Sequence, residues 1–581
     1  MCIRDRPEAF GEVTVGTHER IKFEGAASGP LGDRVRGRLS VIHDQNDGLQ
    51  ERDPGSGAKG NARNIDAIRA QLELDVTNEL SLLLNFHAGF IRNDAQLYKF
   101  RGQLDPATFT PCNLEQLETF TCVNAFGQQD TNPNLDEPFT QGRGKTPLDI
   151  DIFGGSAKFE WQRDEWGVVS ITAVETVDKY HQDTTGSFIP LVLHPIFRVD
   201  ATQVTQEIRL SYTTDDLKGL LGFYYFNDEK LGGNSLEPPF NPGAFPLNYD
   251  IFHDQDTEAL AFFAHADWSF VPDWTLELGI RYTTEDKTLH DTVDTGLLFF
   301  PAPSFVFEDS FETDNVSWNA GLDWRLNENT LLFANIARGF KSGGWNSGGL
   351  VAEVSQLAPY DDEKVTTLEA GFKTTLMGGR LRVNATGFYY DYEDFQAFTQ
   401  ADIDGIPVSR LQNAGDAEIT GFELEIFMQP LDFFEAQFGV GYLDTETSDF
   451  FSTEADGMGG TIMVDLSGTK LVFSPEWTAN GLMRVFHPVF GGQASAQVSF
   501  NYSDDYFYDS DNNITAIGGD YTIWNARVAW RGGPSDRFEI AGYVNNFTDK
   551  LYIVEGFSIA AANQLMANKQ RTAGVSFSVS Y

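Results

Sequence analysis

Basic residues are scarce in this chain. Lys and Arg total 41 against 85 Asp and Glu in 581 residues, a formal net charge of −44. A nucleic-acid partner needs a basic surface, so that class is excluded. Long apolar runs are missing as well. With a mean hydropathy of −0.29 and no uninterrupted apolar stretch of about 18 residues, no ordinary transmembrane helix is present. The nine histidines, at 18, 43, 87, 181, 194, 253, 265, 290 and 487, never take a metal-ligand spacing. There is no phosphate-cradling Gly loop and no nucleophile elbow, so nothing points to an enzyme or to a bound cofactor. Cysteine (3) and methionine (7) are few, and stretches of helix-favouring Ala, Leu, Lys and Glu are rare. What is abundant is Gly (55), Phe (48) and Tyr (19), a composition that favours an all-β protein.

The N-terminus offers no export signal. Met1 to Arg6 is polar and lacks an apolar core. The first strand is expected near Phe10, and residues 1–9 are read as the start of a truncated reading frame.

Strand periodicity is strongest at the C-terminus. From Val575 to Tyr581 every odd position is apolar and every even one is Ser, the mark of a strand with one oily and one polar face. Leu260, Phe262, Ala264, Ala266, Trp268 and Phe270 share such a face, as do Leu276, Leu278, Ile280 and Tyr282. Ala436, Phe438, Val440 and Tyr442 form a third, and Trp524, Ala526, Val528 and Trp530 a fourth. Connections alternate in length. Short turns lie at 213–216, 271–274, 326–329, 377–379 and 531–534, and long loops at about 94–146, 183–200, 229–254, 287–311, 343–360 and 446–472. Short turns at one end and long loops at the other is the plan of a large antiparallel transmembrane β-barrel, and Trp268, Trp274, Trp324 and Trp530 near strand ends suit an interfacial girdle. The strand count is about 22, even as closure requires. A soluble propeller would show a fixed-period repeat, and none is present.

Specific motifs then follow in order. They are Arg338-Gly339-Phe340-Lys341-Ser342-Gly343-Gly344-Trp345, then Pro359-Tyr360 with Glu363, Lys364, Glu369, Gly371 and Lys373. Asn413-Ala414-Gly415 with Gly421, Glu423 and Glu425 comes next, then Ser474-Pro475-Glu476-Trp477 with Asn480, and Val544 to Tyr552. Together with Ala26 to Leu31 and the terminal aromatic, they resemble the TonB-dependent outer-membrane receptor family along residues 10–581. That resemblance implies short periplasmic turns, long extracellular loops and a place in the outer membrane of a Gram-negative bacterium. It also implies active uptake of a scarce nutrient, most often a ferric siderophore. Cobalamin, haem and oligosaccharide receptors are the alternatives within the family; a passive plugless porin-like channel or a surface adhesin are the alternatives outside it. The family's signal peptide, TonB box and plug precede the barrel and have no counterpart in residues 1–9. Coupling to the inner-membrane TonB complex would run through that missing region.

Candidate site residues are few. Phe305 and Phe307, in an aromatic loop with Phe299, Phe300, Phe311, Pro301 and Pro303, together with Trp345 and Tyr360, either contact ligand or pack loops against one another. Arg281, Arg382 and Arg527 fall on polar strand faces and offer the lumen fixed cations for an anionic chelate. Cys112 and Cys122, ten apart in the longest loop, are expected to form a disulfide. Asp509, Asp511, Asn513 and Asp520 imitate a calcium loop, but Ile514 replaces the needed Gly, so an acidic hairpin loop is the expectation.

Overall fold

The computed structural model describes residues 6–48, 50–51, 59–95, 98–124, 127–129, 146–183, 194–237, 249–294, 304–347, 354–403, 406–455, 461–559, 562–568 and 570–581. Met1 to Asp5, and Phe299, Phe300, Pro301 and Pro303 of the expected aromatic loop, lie outside these. Twenty-two strands form one antiparallel sheet. They are β1 (Glu8–Gly16), β2 (Arg20–Gly32), β3 (Val35–Asn46), β4 (Arg63–Asp75), β5 (Leu80–Asp94), β6 (Pro147–Arg163), β7 (Trp166–Gln182), β8 (His194–Thr213), β9 (Leu217–Glu237), β10 (Tyr249–Val271) and β11 (Trp274–Asp294). The second half comprises β12 (Phe305–Asn327), β13 (Thr330–Lys341), β14 (Glu363–Leu376), β15 (Leu381–Ile403), β16 (Ile406–Leu431), β17 (Phe434–Ser448), β18 (Trp477–Val489), β19 (Gly492–Ser503), β20 (Tyr521–Gly532), β21 (Phe538–Asn545) and β22 (Thr572–Ser580). Each pairs with its sequence neighbours, and β22 pairs back onto β1 from Phe10↔Ser580 to Gly16↔Gly574. No sheet edge is left, so every strand N–H and C=O can be satisfied within the wall.

Turn chemistry sets the register at the short end. Asp164 (φ 49°) and Asp273 (φ 68°) take the left-handed conformation that Asp tolerates. At the loop end of β1 and β2, His18 (φ 59°) and Glu19 (φ 53°) are consecutive left-handed residues, the type I′ pattern that matches strand twist. With register fixed, one residue parity points outward. Phe262 is 61% exposed, Ile280 56% and Val528 62%. The opposite parity, Ser576 and Ser578 among it, points inward. The oily faces read from the sequence are therefore the outer faces. Trp274 and Trp324 stack at 5.0 Å near the turn end of β11 and β12 and mark one border of the apolar band.

The other border is a row of like charges. Glu258, Asp286 and Glu312 are register partners on β10, β11 and β12, all exposed and all outward. Tyr282, the last apolar residue below that row on β11, is eight residues from Trp274. At about 3.4 Å per residue and a tilt of 35–45°, that gives roughly 20 Å, close to the ~25 Å apolar band of such barrels.

The strands run past this border. β8 to β12, β15 and β16 have 20 to 26 residues, where about 9–11 suffice to cross a bilayer. The long loops expected at 183–200, 229–254 and 287–311 are accordingly shorter. Residues 194–200, 229–237, 249–254, 287–294 and 305–311 are strand, so Phe305, Phe307 and Phe311 sit on β12 and not in a loop. Above the apolar band the outward face is acidic, and the oily alternation that reveals a strand is lost although pairing continues. The expected loop 446–472 likewise contains a hairpin of Phe451–Ala455 with Thr461–Asp465, and loop 94–146 a short strand, Lys99–Arg101, and a helix, Leu114–Glu118.

Candidate functional site

Residues 342–347 and 354–362, between β13 and β14, fold inward and are stitched to the inner wall. Gly344 and Tyr360 exchange backbone hydrogen bonds at 3.0 and 2.8 Å. Lys287 Nζ donates to Ser342 Oγ (2.8 Å) and to the Gly343 carbonyl (2.7 Å), and Ser342 Oγ donates to Glu285 Oε1 (2.7 Å). The Asp362 carboxylate accepts from Thr313 Oγ1, from Asn315 Nδ2 (2.6 Å) and from the Gly343 N–H (2.9 Å). Asn413 holds Asp361 from both sides, accepting its N–H at 2.7 Å and donating to its carbonyl at 3.0 Å. Gly343 is required by close approach and not by a left-handed backbone. A Cβ there would overlap the Tyr360 carbonyl and the Phe311 ring.

Four of the seven proposed ligand contacts belong to this clamp. Trp345 is buried; its Nε1 donates to Asp309 Oδ2 at 2.9 Å and its ring meets Phe311 edge-on at 6.3 Å. Phe305 and Phe307 pack on Ile251, Val293 and Leu357. Tyr360 pairs with Gly344, and burial raises its phenol pKa. All four therefore make contacts of the loop-packing kind.

The arginines are not gathered with them. Arg281 lies seven residues from the turn end of β11, its guanidinium 5.5 Å from both the Tyr224 and Phe263 rings. Arg382 is one residue from the turn end of β15, 4.6 Å over Phe427. Neither forms an ion pair among the described residues. Arg527 shares Glu539 with Arg531, the latter pair at 2.9 Å. The three cations thus stand at different depths of the lumen.

A second body closes over the loop end. The Cys112 and Cys122 sulfurs are 2.14 Å apart, with Leu117 buried against them. Asn113 caps the helix Leu114–Glu118 through a reciprocal bond with Gln116. Strand Lys99–Arg101 adds to the hairpin Ile553–Ile559 with Ala562–Ala567. Gln103 donates to Asn563, whose Nδ2 donates to the Thr515 carbonyl at 2.8 Å. Tyr508, whose phenol burial keeps protonated, donates to the Ile553 carbonyl at 2.7 Å. Inside this cap the Arg101 guanidinium lies 6.0 Å from the Phe120 ring, with Nε and Nη1 buried and without hydrogen-bond partners. Burial lowers its pKa. Sequence reasoning missed the cap. Its joints tie residues 99–103 to residues 563–565 at the far end of the chain, and no local signal announces them. Asp509, of the calcium-like run, has its Oδ1 taken by the Asn513 N–H at 3.1 Å, a turn contact.

Beneath the cap a polar track runs down the inner wall. A cavity of about 420 Å³ under Tyr552 and Asn568 shares Asn525 and Asn545 with one of about 430 Å³ that adds Arg20, Lys22 and Arg527. Arg527 also borders a third, about 260 Å³, with Arg484 and Arg531 toward the turn end. Hydrogen-bonding amides near the top and guanidinium groups below, each paired with a carboxylate (Arg20 with Asp44, Arg484 with Glu435, Arg527 and Arg531 with Glu539), suit a polar solute.

The family model described as TonB dependent receptor-like, beta-barrel, matches residues 56–547. The chain belongs to that family. Its barrel is therefore an outer-membrane wall, with the short turns periplasmic and the clamp and cap extracellular. The pesticin receptor of Yersinia pestis is 21% identical over 388 residues, 65% of this chain and 52% of that protein, so the match spans about half the length of the curated relative. Among solved structures, the ferric yersiniabactin uptake receptor FyuA of Yersinia pestis superposes with a TM-score of 0.80 at 17% identity, covering 100% of this chain and 81% of that one. The siderophore receptor PiuA of Acinetobacter baumannii gives 0.75 at 16%, covering 100% and 82%. The closed form of the ferric-catecholate import receptor Fiu of E. coli K12 gives 0.74 at 14%, with the same coverage. At these identities the structural likeness establishes the fold. Most of the motif residues that carry the resemblance lie in the clamp or at strand ends, where their work is structural.

Proposed function

We propose that this barrel belongs to a receptor that takes up a ferric siderophore across the outer membrane. The observation that carries the reading is the naming of its relatives, several of which are receptors for iron chelates. The inner wall adds a physical reason. Ferric chelates with carboxylate or catecholate arms are anionic, and guanidinium groups pair with such arms bidentately. Capture falls to the extracellular side, where Tyr552, Asn525, Asn545 and Asn568 line the upper cavity. Arg527, two residues below Asn525 on the same face of β20, meets the chelate as it leaves the upper cavity, and Arg382, one residue from the turn end of β15, serves later passage. Arg281, held over two aromatic rings, guards the opposite wall. Phe305, Phe307, Trp345 and Tyr360 shape the entrance by holding the clamp. Energy comes from the inner-membrane TonB complex acting through a segment outside this chain. No residue in this scheme makes or breaks a covalent bond.

The test is growth of a strain lacking the full-length gene, under iron limitation, with single siderophores supplied. Loss of use of at least one supports the reading. Normal use of all of them, with a defect on cobalamin, haem or a glycan instead, overturns the iron assignment and leaves the barrel intact.

A further inference from the structure

The outer wall carries a basin that the lipid band alone does not explain. On β10 the outward series reads Phe262, Ala264, Ala266, Trp268, two small residues between two large ones. Register places more small residues beside them. Gly219 of β9 faces Ala266, and Ala320 of β12 faces Leu278, itself the partner of Ala266. The result is a depression of about 670 Å³ on the outer surface, bordered by Tyr212 and Trp166 on one side and Trp318 on the other. Its floor begins one row above Trp268, so it lies in the half of the apolar band next to the periplasm, the phospholipid leaflet. Packing is what separates this site from the rest of the wall. Trp166 meets Tyr212 at 4.7 Å and walls one side, and the exposed side chains of Leu221, Leu278 and Ile280 rise around the small residues Gly219, Ala264 and Ala266.

Charge at its periplasmic rim selects the head group. The turns below carry Asp164, Glu165, Asp215, Asp216 and Asp273, all exposed. Of the cations on these turns, Arg163 lies 3.9 Å from Asp164 and 4.0 Å from Glu79, and Lys218, on the parity opposite to Gly219, faces the lumen. A free anionic head group would meet five carboxylates there, whereas an ammonium would be attracted.

We propose that this basin is a binding site for one phospholipid of the periplasmic leaflet, an acyl chain lying over Gly219, Ala264 and Ala266 beside Leu278, and an ammonium head group among the acidic turns. The chain fills a volume that mobile lipid tails would cover only in part, and dispersion contacts with the aromatic walls hold it. The site is independent of the transported ligand.

The experiment is native mass spectrometry of the full protein extracted from outer membranes in mild detergent, with phosphatidylethanolamine or phosphatidylglycerol added. One phosphatidylethanolamine should stay bound, with affinity about tenfold above phosphatidylglycerol. Ala264→Phe with Ala266→Leu should fill the basin and lower retention of both lipids by about tenfold. Heat-modifiable gel migration shows whether that variant is folded. Asp215→Asn with Asp216→Asn leaves the basin untouched and should erase the head-group preference while keeping lipid bound. Equal or better binding of phosphatidylglycerol to the native protein, unchanged retention in the filled variant, or an undiminished preference in the neutralised variant would each overturn the proposal.

Discussion

A single arginine walked up the outer face of β11 tests where the membrane sits. Ile280 is 56% exposed, six residues above Trp274, which places it about 15 Å into a band ~25 Å tall, near the midplane. Because its side chain faces lipid, little protein packing is lost on replacement. Ile280→Arg should therefore cost mainly the insertion of a charge, about 2–4 kcal/mol. Asp286, six residues further along the same face, lies between Glu258 and Glu312. Like charges directly opposite are destabilising, so Asp286→Arg should be neutral or stabilising by about 0.2–1 kcal/mol. The assay is reversible denaturant unfolding in lipid vesicles, followed by tryptophan fluorescence, with both variants measured in one buffer. Ile280→Arg within about 0.5 kcal/mol of the parent, or Asp286→Arg as costly as Ile280→Arg, would refute the placement of the band.

Three further outcomes are expected. Cys112 and Cys122 should appear linked in an unreduced peptide map of exported protein, and replacing both with Ser should destabilise the cap by about 2–3 kcal/mol, the chain-entropy value for a loop of about ten residues; two alkylatable thiols would contradict this. Asp362→Ala strips three donors of their acceptor, one of them the Gly343 N–H, and should cost about 2–4 kcal/mol locally; limited proteolysis should then cut within 342–362 where the parent resists. Gly343→Ala forces a methyl into the Tyr360 carbonyl and the Phe311 ring and should loosen the clamp by about 1–3 kcal/mol, read as faster amide exchange at Gly344 and Tyr360.

Much of the barrel was legible because lipid enforces period two. The runs 260–270, 276–282 and 575–581 named faces that the register bears out from Leu260 to Trp268, from Leu276 to Tyr282 and from Val575 to Ser580. Legibility stopped where lipid stops. Above Glu258, Asp286 and Glu312 the outward face turns polar, so Phe305 and Phe307 read as loop although they continue β12. The motif around Gly343, Gly344 and Trp345 was visible as a motif, but its work was not. That work depends on Asp309, Asp362 and Asn413, which sequence does not bring together. The cap was illegible for the same reason, since Gln103 and Asn563 meet only after the barrel has closed. The three arginines were placed on the correct face, yet face alone says nothing of depth, and depth is what separates them.

Iron uptake itself is the most direct measurement of what this barrel does. Cells bearing the full-length gene, and cells lacking it, are supplied with radio-iron bound to the siderophore whose use the deletion abolishes, with and without a protonophore. Accumulation should require the gene and collapse when the proton gradient is discharged. Accumulation that persists without the gradient would make the barrel a passive channel, and accumulation that persists without the gene would contradict the assignment of this protein to iron uptake.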